Sequence, residues 1–388
     1  MEFKKVKLGD VSEITKLAGF EFSKYIKYID NGEIIALRAL NIKNNILNLE
    51  DIKRIDKEVS ERLIRSKLYK NDIILTYTGN GYGAAALIEE DNKYHLAPNI
   101  AKITPKNCNP YYLFKYITST KFQKLIANNI GGSSQPTIPM KTLRILPLEI
   151  PDINIQNKIA LIMYNIDKKI KLNNQINDNL YRLMQIKFEN WINDFEKYEI
   201  SSLSKIANYT NGLAMQKFRP NDNEKSLPVI KIKEMNEGFT ENTERCSANI
   251  KEDVIINNGD ILFAWSGTLC MSIWGKGKAG LNQHIFKVSS DKYPKWFYYF
   301  WTLKHLNNFK MIAAGKATTM GHIKRGELDI SEVLIPTEKE LQDMDIIMQP
   351  MFNKYINNLI QNETLTDLRN TLLPKLMSGE IDLEKIEI

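Results

Sequence analysis

Two stretches of the chain place apolar residues at alternating intervals of three and four, the spacing of a helix that packs lengthwise against another helix. The apolar residues of the first stretch are Ile159, Ile162, Ile166, Ile176, Leu180 and Leu183, and those of the second are Met344, Ile347, Met351, Leu365, Leu368 and Leu372. Most of the second set follow a residue of the first set by 185 positions. Each stripe spans about 35 residues, or roughly 50 Å of helix. The pattern predicts two long helices that bury their apolar faces against each other.

A polar residue interrupts both stripes at the same place. Asn173 and Asn358 are also 185 residues apart, and a buried Asn in a helix pair can fix its register at some cost in stability. We therefore include both residues in the predicted core of the helix pair. The alternative is that the two stretches are ordinary amphipathic helices, each docked on its own globular domain.

The segments that precede the two helices also repeat each other. Three pairs of segments match in order: NDIILTYTG (71–79) with GDILFAWSG (259–267), LAPNIAKI (96–103) with LNQHIFKV (281–288), and PYYLFKY (110–116) with PKWFYYF (294–300). Because the order is kept at a nearly constant shift, the chain consists of two copies of one unit.

The pattern inside each copy predicts the fold class. Short β-type runs (34–42, 72–78, 229–232 and 260–265) are combined with one apolar helical segment in each copy, after Pro110 and after Pro294. The prediction is an α+β fold in which two similar domains are joined by two long helices, packed as an antiparallel coiled coil, with an internal pseudo-twofold repeat. The predicted boundaries are 1–152 and 199–336 for the domains, and 153–198 and 337–388 for the helices and the C-terminal tail.

The aromatic run from Trp296 to Trp301 has two interpretations. It could stack on nucleic-acid bases, but its counterpart from Tyr111 to Tyr116 favours a repeated core helix.

Composition narrows the class of protein. With 43% hydrophobic and 26% charged residues, the chain has an ordinary globular composition. Its three Cys and four His lie far apart, which argues against a metal site or a disulfide framework. No apolar stretch is long enough to cross a membrane and no targeting segment is evident, so we expect a cytoplasmic protein without a membrane partner.

Positive charge is concentrated in the two predicted domains. Residues 1–150 hold 23 basic and 16 acidic side chains, and residues 199–335 hold 18 and 14, whereas residues 336–388 hold 5 and 10. Lys and Arg opposite phosphates supply much of the affinity of DNA-binding surfaces. The distribution is therefore typical of a DNA-binding pair of domains, although a solvated basic surface without a partner would look similar.

Two short motifs suggest chemistry only weakly. The segment Gly79–Gly83 (GNGYG) resembles a phosphate or S-adenosylmethionine loop, but no clear strand–helix–strand unit follows it and the second copy lacks it. The segment Asn109–Tyr112 (NPYY) resembles an amino-methyltransferase motif without its second Pro, and a helix-start turn explains it better. No nucleotide-binding GxxxxGK[ST] motif is present.

The junctions between domains and helices carry a resemblance to a known family. GGSSQPTI (131–138) leads to LEIP (148–151), and ATTMGHIK (317–324) leads to LIP (334–336). With the twice-repeated unit, these segments make the chain closely resemble the specificity subunits of Type I restriction-modification systems over essentially its whole length. The helix start departs from the family pattern, since Gln156 is separated from Pro151 by four residues and Leu341 stands at its counterpart.

The resemblance implies a non-catalytic subunit that recognises a bipartite, asymmetric, gapped target in double-stranded DNA. Each domain would be a target-recognition domain for one half-site, and the helix pair would hold the two at a fixed separation. The chain would bind no cofactor itself. Two methyltransferase subunits would bring S-adenosylmethionine, and restriction subunits, as further partners, would bring ATP and Mg.

Candidate DNA-reading residues are polar or basic side chains on turns at equivalent places in the two copies. Such side chains can hydrogen-bond to base edges or phosphates, although each could equally be a solvated turn residue. The candidates are Thr78, Asn80, Tyr82, Ser133, Ser134 and Gln135 in the first domain, and Ser266, Thr268, Lys316, Thr318, Thr319, His322 and Lys324 in the second.

Three other functions remain open from the sequence. The chain could be a DNA methyltransferase that uses the motifs at Gly79–Gly83 and Asn109–Tyr112. It could be a DNA-binding scaffold or regulator without a methyltransferase partner. A pure coiled-coil interaction protein is the third possibility, although it gives the two basic domains no role.

Overall fold

The computed structural model describes residues 2–132, 135–315 and 321–384. The chain divides into two compact units, one formed by Met1–Asp167 with Leu368–Ile388 and the other by Lys168–Asp367. Each unit contains one copy of the repeated domain and one part of each of two helices of 41 residues.

The first copy is built from short strands and helices followed by one long helix. Its strands are β1 (Lys4–Lys7), β2 (Ser12–Lys16), β3 (Ile34–Leu37), β4 (Ile42–Lys43), β5 (Ile46–Leu47), β6 (Lys53–Ile55), β7 (Lys67–Leu68), β8 (Ile73–Thr76), β9 (Ala85–Leu87), β10 (Tyr94–Leu96), β11 (Ile100–Pro105) and β12 (Pro147–Ile150). Its helices are α1 (Gly19–Tyr25), α2 (Lys57–Arg62), α3 (Pro110–Ile117), α4 (Thr120–Asn128), α5 (Met140–Ile145) and α6 (Ile153–Asn193).

Two four-stranded sheets form the core of this copy. One is antiparallel in the order β2-β11-β8-β9, and the other has the order β6-β3-β10-β7 with β10 parallel to β3. Strand β8 is apolar on both faces and wholly buried, the pattern of a strand covered on both sides. Its Ile74 packs in one cluster with Ile35 and Leu96 of the other sheet.

The second copy repeats this plan. Its strands are β13 (Glu199–Ser202), β14 (Asn208–Asn211), β15 (Ser226–Ile230), β16 (Arg245–Ser247), β17 (Ile255–Ile256), β18 (Ile261–Ala264), β19 (Cys270–Ile273), β20 (Ala279–Leu281), β21 (Ile285–Ser289) and β22 (Glu332–Ile335). Its helices are α7 (Leu203–Ile206), α8 (Ile232–Glu237), α9 (Lys295–Ala314), α10 (Gly326–Ile330) and α11 (Glu338–Ser378).

The two copies have the same sheet topology. The sheets of the second copy have the orders β14-β21-β18-β19 and β16-β15-β20-β17, and β13 pairs with β22 as β1 pairs with β12. The first copy adds a short hairpin of β4 and β5. The predicted duplicated α+β fold is confirmed.

The aromatic run of α9 lies in the core of the second copy. Trp296 and Phe297 are fully buried, and the ring of Phe300 contacts Phe188 of α6 and Phe352 of α11. These rings are therefore core side chains, as the match between the two copies indicated, and they form no base-stacking surface.

The two long helices run antiparallel in both units. In the second unit, Asn173 of α6 contacts Asn362 of α11, while Asn177, one turn later, contacts Asn358. In the first unit, Asp167 contacts Arg369. The partner number falls as the residue number rises, which confirms the predicted antiparallel pair.

The predicted helix-pair core is wrong at four positions. Ile176, Leu183, Ile347 and Leu368 are 39%, 45%, 44% and 44% exposed. In α6 the buried face passes one residue further on, through Asn177 and Met184. The apolar spacing selected Ile176 because Asn177 is polar, although Asn173 and Asn177, about one turn apart, are the residues that bond to α11.

The other predicted core residues lie on or beside the buried face. Ile159, Ile166, Asn173 and Asn358 are buried. The half-buried residues are Ile162, Leu180, Met344, Met351, Leu365 and Leu372. Met348 and Phe352 are buried but were not predicted.

Candidate nucleic-acid interface

A backbone bridge joins two loops of the first domain at the end of β8. The amide of Gly79 donates to the carbonyl of Pro136 at 2.8 Å, and the amide of Ile138 donates to the carbonyl of Tyr77 at 2.9 Å. A third segment joins them, because the amide of Tyr77 donates to the carbonyl of Asn99 at 3.1 Å. Three separate stretches of sequence thus meet at one end of the antiparallel sheet.

The second domain builds the same bridge at the end of β18. The amide of Gly267 donates to Gly321 at 2.9 Å, and the amide of Ile323 donates to Trp265 at 3.1 Å. The amide of Trp265 in turn donates to the carbonyl of His284 at 3.2 Å. The repeat therefore extends from the sheets to the loops.

A glycine is required at the turn of each bridge. Gly79 has φ of +89° and Gly267 has φ of +69°, a backbone conformation that L-residues with a Cβ adopt only at a steric cost. This requirement explains the Gly that ends both copies of the matched segment.

Two of the predicted DNA-reading hydroxyls lie inside the bridge. Thr78 is 7% exposed and its Oγ1 lies 2.5 Å from Oγ1 of Thr137, and Ser266 is 6% exposed, opposite His322. Because these side chains are buried in the link between the loops, their predicted contact with bases is not supported. The Thr78 hydroxyl links the two loops of the first domain instead.

The other predicted residues fall into three groups. Asn80, Gln135, Thr268 and Lys324 are exposed, and Tyr82 and His322 are half-buried. Ser133, Ser134, Lys316, Thr318 and Thr319 lie outside the described residues. The bridge brings Asn80 and Gln135 into the same loop cluster, and likewise Thr268 with His322 and Lys324.

Side chains that the sequence analysis did not select surround each bridge. The ammonium of Lys16 lies 5.1 Å from the ring centre of Tyr77 in the first domain. In the second, the indole of Trp265 donates to Asn211 at 2.9 Å and its ring contacts that of His284. The sequence carries little signal for them, since the aligned segments 96–103 and 281–288 also differ at Ala97 and Asn282 and at Pro98 and Gln283.

The two weak chemical motifs have structural explanations. The segment from Gly79 to Gly83 lies between β8 and β9, which pair antiparallel, so it is not the loop of a strand–helix–strand unit. Asn109 caps α3, because its side chain accepts from the amide of Tyr112 at 3.0 Å. Across the described residues, no group of three or more His, Cys, Asp or Glu side chains is arranged to hold a metal ion. No helix in that part of the chain is long and apolar enough to cross a membrane.

The fold and the paired loops define a duplicated recognition protein, with one loop cluster on each of two α+β domains and a long helix after each domain. The chain belongs to the family of Type I restriction modification DNA specificity domains, whose model matches residues 1–182 and again residues 193–366. The expected role in DNA sequence specificity is confirmed by this membership, and the methyltransferase alternative is not favoured.

Relatives along the whole chain agree with the family. The chain is 24% identical to the Type I restriction enzyme MjaIX specificity subunit of Methanocaldococcus jannaschii, covering 98% of this chain and 94% of the relative. It is 22% identical to the HindI specificity subunit of Haemophilus influenzae, covering 98% and 100%. Its fold is similar to the crystal structure of the S subunit of a Type I system from M. genitalium, with a TM-score of 0.60 at 12% identity over 97% and 96% of the two chains.

Proposed function

We propose that this chain recognises a bipartite, asymmetric, gapped DNA target, with one half-site read by each domain, and that it carries no catalytic step itself. The observation that supports this most directly is the backbone bridge, built twice on the same sheet topology with different side chains around it. Two equivalent loop clusters suit two binding events of the same kind, and different side chains suit two different sequences.

The charge distribution supports DNA as the ligand. Basic side chains exceed acidic ones in both domains, by 23 to 16 in residues 1–150 and by 18 to 14 in residues 199–335. Phosphate contacts from such side chains would supply the sequence-independent part of the affinity, which falls as the salt concentration rises.

The helix pair suits the role of a spacer. Each helix has 41 residues, or roughly 60 Å at 1.5 Å per residue. Hydrogen bonds between Asn side chains, of which Asn173, Asn177 and Asn358 are buried, fix the register of the pair. A fixed register would give a fixed number of base pairs between the half-sites, and one turn of B-DNA measures about 34 Å.

An exposed apolar stripe on α6 suits the attachment of methyltransferase subunits. Leu172, Ile176, Leu183 and Ile186 are between 39% and 55% exposed, and at 3.6 residues per turn they fall within roughly an 80° arc. The arc lies apart from the face that contains the buried Asn173, Asn177 and Met184. We infer that two methyltransferase subunits bind the helical parts, one near each domain, and supply S-adenosylmethionine, and that restriction subunits supply ATP and Mg.

The test is base-resolution methylation mapping in a host that lacks DNA methylation. The chain is expressed with its neighbouring methyltransferase subunit, and each is expressed alone as a control. A two-part, asymmetric, gapped motif that appears only on co-expression is the expected result.

Other outcomes would contradict the proposal in distinct ways. Methylation by this chain alone would show that it carries the catalytic site itself. Methylation by the partner alone, at the same motif, would leave this chain without a role in specificity.

A further inference from the structure

The two loop clusters share their backbone and differ in a small set of side chains. We propose that four matched positions around each bridge are the main readers of bases, and that the difference between the two sets makes the two half-sites different. This inference rests on the proposed function and names the residues that carry it out. The first domain contributes Lys16, Tyr77, Asn99 and Thr137, and the second contributes Asn211, Trp265, His284 and His322.

Backbone hydrogen bonds establish which positions correspond. The amides of Tyr77 and Trp265 donate to the carbonyls of Asn99 and His284, the residues just before β11 and β21. Thr137 and His322 are the bridge residues opposite Thr78 and Ser266. Lys16 pairs with Ala101 as Asn211 pairs with Phe286, so the last residues of β2 and β14 correspond as well.

The identical residues of the two clusters are scaffold. Gly79 and Gly267 make the turn, and two matched isoleucine pairs are buried to 3% exposure or less: Ile100 with Ile285 and Ile138 with Ile323. The side chains that differ are half-buried or exposed, with Lys16, Asn99 and Asn211 among the exposed ones. A conserved frame that presents variable groups at its surface is the arrangement that sequence discrimination needs, because base edges must be reached from the surface.

The second-domain set is held rigidly. The ring of Trp265 stacks on buried Phe286 with centroids 5.6 Å apart, and its indole N–H is fixed by Asn211. The ring centroids of His284 and His322 lie 5.8 Å and 6.5 Å from the ring centroid of Trp265. Such an aromatic and imidazole surface can contact the methyl group of thymine or stack on an unpaired base.

An imidazole nitrogen of this set lacks a partner within the described part of the chain. Nδ1 of His284 is buried and accepts or donates no hydrogen bond there, while its Nε2 lies 3.2 Å from Nε2 of the Gln283 side-chain amide. A buried polar atom without a partner is costly unless a ligand completes it. Because this atom is buried, the base edge of a bound half-site would complete it only once the imidazole ring turns toward the surface.

The first-domain set has a different chemistry. The Lys16 ammonium lies over the Tyr77 ring, and Asn99 has φ of +72°, in the left-handed region where Asn is several times more frequent than most residues. Lys pairs with guanine O6 and N7, and Asn pairs bidentately with adenine. Recognition of the first half-site is therefore expected to depend on hydrogen bonds from Lys16 and Asn99 to purine bases. Recognition of the second half-site is expected to depend on contacts from aromatic and imidazole rings.

The experiment substitutes residues of each set in the full chain, which is co-expressed with its methyltransferase subunit and mapped for methylation. One variant combines His284→Asn with His322→Thr, which installs the first-domain residues in the second domain. A second variant is Lys16→Ala. The matched controls are His305→Asn, on α9 of the second domain, and Lys124→Ala, an exposed lysine on α4 of the first.

The expected result is reciprocal. The double His variant should lower methylation at the wild-type form of one half-site about tenfold or more relative to substituted forms, since a good base contact contributes roughly that factor. Lys16→Ala should do the same at the other half-site. The controls should keep both half-sites, and the gap length should not change in any variant.

Three results would overturn the inference. Both the double His variant and Lys16→Ala could keep the wild-type motif, or both could alter the same half-site, or the controls could alter specificity as much as these two variants do. If a variant complex methylates nothing, selection of bound sequences from DNA randomised at one half-site decides the matter, with the single change His284→Asn as the milder second variant. A wild-type complex that yields no bipartite motif would instead contradict the proposed function.

Discussion

Asn358 Nδ2 donates a hydrogen bond of 2.9 Å to Oδ1 of Asn177, and the same bond recurs from Asn173 to Asn362, also at 2.9 Å. The two bonds are related by the internal repeat, because Asn173 matches Asn358 and Asn177 matches Asn362, each at a shift of 185 residues. Asn177 and Asn358 are 5% and 1% exposed. A buried amide pair is satisfied in only one register, so these bonds select the alignment of α6 against α11.

Removing one partner of this pair should destabilise the second unit. Asn358→Ala leaves Oδ1 of Asn177 buried without its donor, which costs about 1 to 3 kcal/mol. Denaturant unfolding of the full chain measures this difference. The control is Asn357→Ala, one residue away on the exposed face of α11, and equal stability of the two variants would contradict the assignment.

Replacing both partners should separate stability from register. Asn177→Leu with Asn358→Leu should recover most of the lost stability, because two apolar side chains leave no unpaired amide between the helices. The register should be less well fixed, since apolar contacts are less selective than the amide pair. The check is the methylated motif, in which the gap between the half-sites should become heterogeneous.

A second buried polar group links α3 of the first domain to both long helices. The carboxylate of Asp167 contacts Lys115, accepts a hydrogen bond of 2.5 Å from Tyr111 and forms an ion pair of 3.0 Å with Arg369. The Asp167 and Lys115 side chains are 22% and 11% exposed. Burial raises the pKa of Asp167, but the charge of Lys115 and the hydrogen bonds from Lys115, Tyr111 and Arg369 outweigh it, and the net pKa is lowered.

Asp167→Asn should therefore destabilise the first unit by about 3 kcal/mol, because it leaves the Lys115 charge buried without its carboxylate. Because the pKa of Asp167 is lower in the folded chain than in the unfolded chain, its ionised form stabilises the fold. This contribution to the free energy of unfolding is complete above the unfolded pKa of about 3.9, and it is lost as the pH falls through the pKa of the folded chain. Unfolding measured from pH 7 down to pH 2 should show a smaller acid dependence in the variant. Glu149→Gln is the control, since its pair with Lys121 is about half exposed on both sides and should contribute less than about 1 kcal/mol.

The turn of the first bridge offers a test of backbone strain without a steric clash. A Cβ added at Gly79 or at Gly81 would meet no atom within 4 Å, but only Gly79 has a positive φ. Gly79→Ala should cost about 1 to 2 kcal/mol and weaken DNA binding by shifting the loop, whereas Gly81→Ala should be neutral or slightly stabilising. The two variants are compared by unfolding and by binding of the purified complex to its target, and equal effects would show that the turn is not strained.

The sequence predicted the fold well because buried core positions produce regular hydrophobic patterns, and these patterns recur in both copies of the repeat. It predicted the site less well because loop positions carry no periodicity. Thr78 and Ser266 were selected as polar turn residues, but the bridge buries them. Trp265 and His284 were passed over because their neighbours looked like a buried strand, and only the meeting of three loops places them together.

The exposed stripe on α6 leads to a prediction about assembly. Leu172 and Leu183 are 44% and 45% exposed, so replacing both with Lys should change the stability of the isolated chain little. If methyltransferase subunits bind this face, the same change places two charges in an apolar interface and should reduce capture of the methyltransferase subunit by a tagged chain about tenfold or more.

A matched substitution outside the helix keeps this test specific. Leu40 in the first domain is 52% exposed, and Leu40→Lys makes the same chemical change away from the stripe. Capture should be unchanged by Leu40→Lys and lost with Leu172→Lys and Leu183→Lys. Equal capture by all variants would place the methyltransferase contact elsewhere, and equal loss would show that added charge, rather than the α6 face, decides assembly.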